Sequence, residues 1–425
     1  YHLEVANAGM AFLEPGVSLV SLNVQAGGII SHDPNATALD FSVTNNATIQ
    51  TNGWIDLDGR GYPNESGDGA GSYEFTYPSG AGYGGRGSNG EAGAAGQTYG
   101  SFSEPDDFGS GGGHAYYRDG SPGGGAMKVN VGGTLTVHGT VTCNGADGVE
   151  NSNTYGGAGS GGSLWLICST LEGSGTIRAN GGSSLNDGSP GGAGGGGRVA
   201  VYSDVNNFTG ATTAYGGEGL QGAGAGTIYT KLTPDTYGTT RVDNNGLAQQ
   251  WVTRITTPTL CHLVVANAGM AFPQPGMSLV SLNVEDGGVV SHDPNAEAID
   301  LHVMTDATVH AGGHVDLDGR GMTSEQGPGA GSYDFSYPSG AGHGGRGSNG
   351  EAATAGLTYG SFTKPVAFGS GGGRTHSAGG KPGGGAMRLE VDGTLTINGE
   401  VISNGADSTE DGNEYAGAGA GGSLW

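Results

Sequence analysis

Charge is scarce in this chain. Asp, Glu, Lys and Arg make up 13% of 425 residues, and 40 acidic against 15 basic side chains leave a net charge of −25. So few basic residues argue against nucleic acid, whose phosphates need Lys and Arg, and against anionic membrane surfaces. The low charge content also excludes a charged disordered tail. The acidic surplus serves solubility and suits Ca²⁺. Cysteine is nearly absent. Three residues, Cys143, Cys168 and Cys261, are an odd number and build no full disulfide framework. Cys143 and Cys168 either pair, if the fold stacks them, or act as small buried apolar side chains; the state of Cys261 stays open. No apolar run approaches the length of a membrane span, so no insertion is expected. No 3.6-residue apolar period lasts three turns, so no helix of any length is expected.

Glycine is abundant: 93 of 425 residues, about 22% against roughly 7% in ordinary proteins. It does not recur at every third position, which excludes a collagen triple helix. Alternating runs such as GTLTVHGTVT and GSLWLIC lie between the glycines and are able to build a core. The pattern is that of a folded, glycine-punctuated protein.

The chain repeats itself. Asp56 to Ala92 and Asp316 to Ala352 agree at 29 of 37 positions, every glycine included, and adding 260 maps the first copy onto the second without a gap. Two domains are expected, 1–260 as a full copy and 261–425 as a second, truncated one. Self-similarity of this kind marks an array. Within each copy a shorter period is visible in GGGAMKVNV, GGSLWLICS, GGGRVAVYS and GAGTIYTKL: glycine-led short strands spaced by 37, 35 and 29 residues. Units of this size, each with two or three short strands, cannot bury their apolar faces alone, whereas stacked coils share one core. The expected fold is all-β, a right-handed parallel β-helix (β-solenoid) with glycine-rich loops, in tandem copies. A β-sandwich array is the rival. Glycine then serves corners and close backbone approach, and the glycine-rich loops are able to pack on one another outside the coil. Eight to ten coils per copy, each rising about 4.8 Å, give roughly 40–50 Å.

The phrasing GGTLTVHGTV, NGADG, GGSLWLIC, GSGTIRANGG, GGAGGGGRVAVY and GAGTIYTKL resembles very large glycine-rich surface proteins with pectin-lyase-like parallel β-helices, found in bacteria and in protists such as flagellated algae. The resemblance covers nearly the whole chain, and its motifs specify fold more than activity. It implies an extracellular or cell-surface structural or adhesive protein, with the tubular hairs of protist flagella as one setting.

Several residue groups carry candidate chemistry. Polysaccharide-degrading β-helices use clustered carboxylates, and Asp106–Asp107 and His138–Gly139 match two of the pieces. No Asn-Thr-Asp or Arg-Ile-Lys is present, and the second copy has Val366–Ala367 and Asn398–Gly399 instead. No enzyme is therefore expected. Asp56 and Asp58, with Asp316 and Asp318, precede glycine turns and are candidate calcium ligands; the alternative is a capped turn with Arg60 or Arg320 pairing locally. No other cofactor is expected. Tyr73, Phe75 and Tyr77, and Tyr333, Phe335 and Tyr337, alternate and should face one way as a strand. They either pack on their own core or form a subunit interface, in which aromatics are enriched, or a sugar-stacking platform. Arg86 and Arg346 in GGRGSNG are expected to bond local carbonyls. Asn35, Asn46, Asn64 and Asn207 head glycosylation sequons. The TLTVHGTVT run resembles the Thr-x-Thr rows of ice-binding solenoids but does not recur regularly. The expected partner is the protein itself, in a fibre of tandem copies. An adhesin holding glycans is the alternative, and a polysaccharide-degrading enzyme a lesser one.

Overall fold

A computed structural model describes residues 1–425 except 7, 35–36, 91–92, 152–153, 185–190, 220, 248–250, 257–258, 409 and 412–413. The described residues contain strands and turns and no helix. They form two compact units, Tyr1–Ala271 and Phe272–Trp425. The first eleven residues of the second sequence copy thus belong to the first unit.

In the first unit, the runs read as strands lie side by side and parallel. His2–Val5 pairs with Ser21–Val24, which pairs with Ala47–Ile49. Val17–Leu19 pairs with Leu39–Val43. Both rows meet one long strand, Ala126–Val137, which takes Leu39–Val43 against Met127–Val131 and Ala47–Ile49 against Leu135–Val137. Ser163–Gly173, Arg198–Phe208 and Thr227–Leu232 continue the sheet. A second parallel sheet has six strands: Met10–Phe12, Ile29–Ser31, Trp54–Asp56, Thr140–Thr142, Thr176–Arg178 and Ala211–Thr213. From residue 126 onward each segment of about 36 residues gives one strand to each sheet. The connection is two residues long, and its glycines, Gly139, Gly175 and Gly210, stack. A Cβ on any of them would lie 2.1–2.2 Å from the carbonyl oxygen of Gly53, Gly139 or Gly175 respectively, a contact only glycine permits.

The apolar rows follow from this register. Ile30, Ile55, Val141 and Ile177 line one sheet and Val129, Leu166 and Val201 the other, all buried in one core. In-register stacking of branched apolar side chains on successive strands lets short strands share a continuous core. Within the larger sheet Thr227–Leu232 turns back antiparallel onto Gly238–Asp243, and two short hairpins, Glu150–Asn151 with Thr154–Tyr155 and Glu410–Asp411 with Glu414–Tyr415, are antiparallel too. The second unit repeats the parallel registers. Met277–Leu279, Ile299–Val303 and Ala386–Val391 form one row, and Ser281–Val284, Ala307–Val309 and Leu395–Ile397 another. Val289–Val290, His314–Asp316 and Glu400–Ile402 form a third.

The glycine-rich stretches outside the strands pack on one another. Successive amides from Gly157 to Gly162 donate to the carbonyls of Gly113, Gly192, Ala146, Ser110, Gly195 and Cys143. Every third amide returns to the same neighbouring segment: 113 then 110, 192 then 195, 146 then 143. Each stretch is therefore an extended helix of three residues per turn, without internal bonds, hydrogen-bonded to three neighbours, as polyproline-II backbone geometry allows. The contacts are so close that a Cβ on Gly80, Gly112 or Gly194 would come within 1.9–2.0 Å of the carbonyl oxygen of Ala193, Gly157 or Gly159. This layer is backbone against backbone, which is why glycine fills it.

Candidate interaction surface

The Tyr-Phe-Tyr runs do not form strands. Residues 72–77 run as irregular backbone with a bend at 75–77, because Ser72 is held in the glycine layer: its amide donates to Ser79 Oγ and its hydroxyl to the Ala94 carbonyl. The three rings share no strand face. Each instead meets a ring from elsewhere in the chain. Tyr73 lies 4.6 Å from His114, Phe75 stacks on Tyr116 at 5.1 Å, Tyr77 stacks on Tyr155 at 6.1 Å, and Tyr117 sits edge-on to Tyr116 at 4.3 Å. Tyr73, Phe75, Tyr116 and Tyr117 are exposed, Tyr117 by 70%. In the second unit Phe335 stacks on His376, Tyr337 on Tyr415, and the Arg374 guanidinium lies over Tyr333. All three of its run residues, Tyr333, Phe335 and Tyr337, are exposed. Each unit thus carries a cluster of paired rings at its surface, set by the repeat. The partners His114, Tyr116, Tyr117 and Tyr155 were not legible beforehand, since they sit about 40 to 80 residues from the rings they meet. The only signal was the aromatic content of HAYY (114–117) and TY (154–155).

Around the first cluster the charge is mixed. His114 Nδ1 lies 2.8 Å from Glu65. A groove of about 560 Å³ beside it is lined by Tyr116, Tyr117, Arg118, Asp119 and Val149. No group of three or more His, Cys, Asp or Glu is arranged to hold a metal among the described residues. Asp56 and Asp58 do not share a strand, because the strand ends at Asp56. Asp56 Oδ1 accepts the Asp58 amide across the turn, and Asp58 is turned to accept from the Thr142 hydroxyl (2.5 Å), the Asn144 amide (2.6 Å) and Asn144 Nδ2 (3.1 Å). Burial raises the Asp58 carboxyl above its ordinary range, against the lowering by these donors. Asp316 caps Asp318 in the same way, and Asp318 bonds Asn404. These carboxylates tie one segment to the next. Arg60 donates to the carbonyl of His32, 28 residues away in the chain, and Arg86 lies 4.3 Å over Trp251.

Cys143, Cys168 and Cys261 are free, buried thiols. The Cys143–Cys168 pairing is not formed. Cys168 sits in an inward row between Val131 and Ser203 of one sheet, whereas Cys143 directly follows Thr140–Thr142 of the other. Burial drives the Cys168 pKa up to about 12, keeping it a thiol. Asn35 lies outside the described residues. Asn46 and Asn207 are exposed and Asn64 half-buried; Asn46 Oδ1 accepts the Thr134 amide. Asp107 is half-buried, its carboxyl raised by burial and by Asp106, and His138 bonds Ser174 in the connection between the sheets. No bond joins Asp107 to His138 among the described residues.

The largest fully buried side chain among the described residues is Arg198, at the end of a glycine run. Its Nε and Nη2 donate to the Tyr99 carbonyl, Nη1 donates to Thr227 Oγ1, and the guanidinium stands 5.4 Å from the Tyr83 ring. Tyr83, fully buried, donates to Ser163 Oγ, which donates to the Asp107 carbonyl. Burial raises the Tyr83 and Tyr99 hydroxyls above their ordinary pKa. All of these groups are satisfied and sealed, so the cluster joins the strand core to the glycine layer and offers no open position for chemistry.

Compared with known family models, with curated proteins and with solved structures, the chain matches none.

Proposed function

We propose that the chain is a structural protein. In this reading each copy is a right-handed parallel β-solenoid, and copies stack end to end into a fibre outside the cell. The observation that carries it is the start of the second copy. Cys261–Ala266 lies in parallel register on Gly238–Asp243 for all six residues, and Cys261, Leu263, Val265 and Ala266 are buried there. The corresponding first-copy strand, His2–Val5, lies in the same parallel manner on Ser21–Val24, so one kind of ladder serves within a copy and across the copy boundary. The acidic surface, the sequons and the resemblance to glycine-rich surface β-helices support an extracellular setting. Electron microscopy of the native material tests the reading. It predicts filaments with an axial repeat of one copy, roughly 40–50 Å, or a simple multiple; separate particles without an axial repeat overturn it.

The exposed aromatic clusters favour a second reading, a surface adhesin whose rings stack on sugars. That reading predicts glycan avidity that rises with the number of copies, measured on chains of one, two and three copies. Equal binding by all three overturns it.

A further inference from the structure

Residues 1–165 and 261–425 agree at 105 of 165 positions, and the longest unbroken run of differences is 114–119 against 374–379, where none of six residues is shared. Yet the backbone there is the same. The Ala115 amide donates to the Arg118 carbonyl at 2.7 Å, and the Thr375 amide donates to the Ala378 carbonyl at 2.8 Å. The Tyr116 amide reaches the Phe75 carbonyl at 3.1 Å, and the His376 amide reaches that of Phe335 at 3.4 Å. The rings beside the turn are kept as well. Tyr73 and Phe75 recur as Tyr333 and Phe335 although all four are exposed, while Glu74 and Thr76 beside them become Asp334 and Ser336. Drift at a surface turn would not spare the rings. A fixed turn on fixed rings with exchanged side chains is how a rigid scaffold presents a recognition loop.

In the first copy this turn holds two unused charges. Arg118 and Asp119 line the groove of about 560 Å³ together with Tyr116 and Tyr117. Neither side chain forms a hydrogen bond or ion pair among the described residues, even with its neighbour. The charge at position 114 is by contrast occupied in both copies, His114 lying on Glu65 and Arg374 on Glu325.

We propose that the turn 114–119 is a binding site for a neutral saccharide, with a sugar ring on Tyr117 and its hydroxyls on Arg118 and Asp119. The inference rests on the adhesin reading above and deepens it, from rings in general to one site. A pyranose offers an apolar C–H face and a rim of hydroxyls. The C–H face suits the negative face of an aromatic ring. Phe75 and Tyr116 already stack on each other, and Tyr117 is the most exposed ring of the cluster. Arg118 only donates and an ionised Asp119 only accepts, whereas a hydroxyl does both, so the pair fits a polyol. An anion would meet Asp119 and a chain of net charge −25. In the second copy His376, Ser377, Ala378 and Gly379 stand at these places, without the outer ring or the charge pair. The turn therefore sets the choice of sugar, and the choice differs between copies.

The test is binding of the full chain to an array of neutral β-glucan, galactan and mannan oligosaccharides, with oligogalacturonate as the anionic probe. At least one neutral series should bind, and oligogalacturonate should bind more weakly. Tyr117→Ala should weaken the neutral series at least about tenfold, as should Arg118→Ala with Asp119→Ala, each with an unchanged circular dichroism spectrum. Exchange of the whole turn (His114→Arg, Ala115→Thr, Tyr116→His, Tyr117→Ser, Arg118→Ala and Asp119→Gly together) keeps a backbone that the chain already builds and should change the set of sugars bound. Equal or tighter binding of oligogalacturonate overturns the proposal, as does neutral-sugar binding that survives any of the three variants unchanged; either result leaves the adhesin reading standing. Absence of binding to every probe at about 1 mM overturns both. Loss of self-association in Tyr117→Ala, with sugar binding intact, overturns the site and assigns the ring to a contact between copies.

Discussion

Phe102 and Phe362 hold the same place in the two copies, yet Phe102 is 1% exposed and Phe362 is 97% exposed. Leu135 and Val137 are 3% and 0% exposed, and Leu395 and Ile397 are 46% and 50%. The backbone around each pair follows the same register. Burial in this molecule is therefore a property of the neighbouring segment and not of the residue. A stretch contributes its apolar row and its glycines, and the next stretch decides whether they form a core.

That comparison should break most visibly at a glycine. A Cβ at Gly80 would lie 1.9 Å from the Ala193 carbonyl, whereas at Gly340 the nearest atom is Ser348 Oγ at 3.1 Å. Gly80→Val should destabilise the first unit by roughly 3 kcal/mol or more, and Gly340→Val should cost well under half of that. Urea unfolding followed by unit-resolved hydrogen exchange separates the two, and equal effects would show that the glycine layer does not depend on its neighbours. Phe102→Ala comes next. Phe102 packs against Tyr229 at 5.7 Å and its loss should cost about 3–5 kcal/mol, while Phe362→Ala should fall within about 0.5 kcal/mol of zero; thermal denaturation of the two variants reads the contrast. Asp58→Ala strips the Asn144 amide of its partner in a half-buried site and should cost about 1–3 kcal/mol. Asp318→Ala, at an exposed position, should cost less, as denaturant midpoints would report.

The smallest effect is one the two units should share. His32 and His292 are buried, each with Nδ1 on the carbonyl of the following Asp, and His292 Nε2 accepts the Ala386 amide at 3.3 Å. Burial lowers both pKa values below the ordinary 6.5, more than the backbone bonds raise them. A histidine whose folded pKa is depressed contributes stability that is present above 6.5 and is lost as pH falls through the folded value. Urea midpoints should therefore decline on acidification below about pH 6.5. His32→Gln with His292→Gln should flatten that decline, and an unchanged slope in the double variant would assign it to other groups.

Much of this was legible in the residues. The 260-residue repeat, the strand character of GGGAMKVNV, GGSLWLICS and GGGRVAVYS, and the absence of helix come from local pattern, and the parallel sheets follow those runs. The packing of glycine-rich stretches on one another was also visible as a consequence of composition. Its threefold hydrogen bonding was not, because the partners of Gly157 to Gly162 come from three separate stretches. The Tyr-Phe-Tyr runs misled for the same reason. Alternation predicts a strand face only where a ladder exists, and Ser72 and Ser79 fix this backbone inside the glycine layer. The Asp56–Asp58 pair reads in sequence either as calcium ligands or as a capped turn; the turn cap is present, and what the residues could not show is the tie of Asp58 to Thr142 and Asn144.

The sequence by itself determined the module: its length, its short apolar strands and the positions where no side chain is tolerated, since these depend on period and on Cβ sterics. Only the tertiary structure decided which of two equal residues is core and which is surface, which rings meet, and that Arg198 is sealed between Tyr83 and Tyr99. Those outcomes depend on which stretch lies alongside, and contacts between residues far apart in the chain leave no local mark in it.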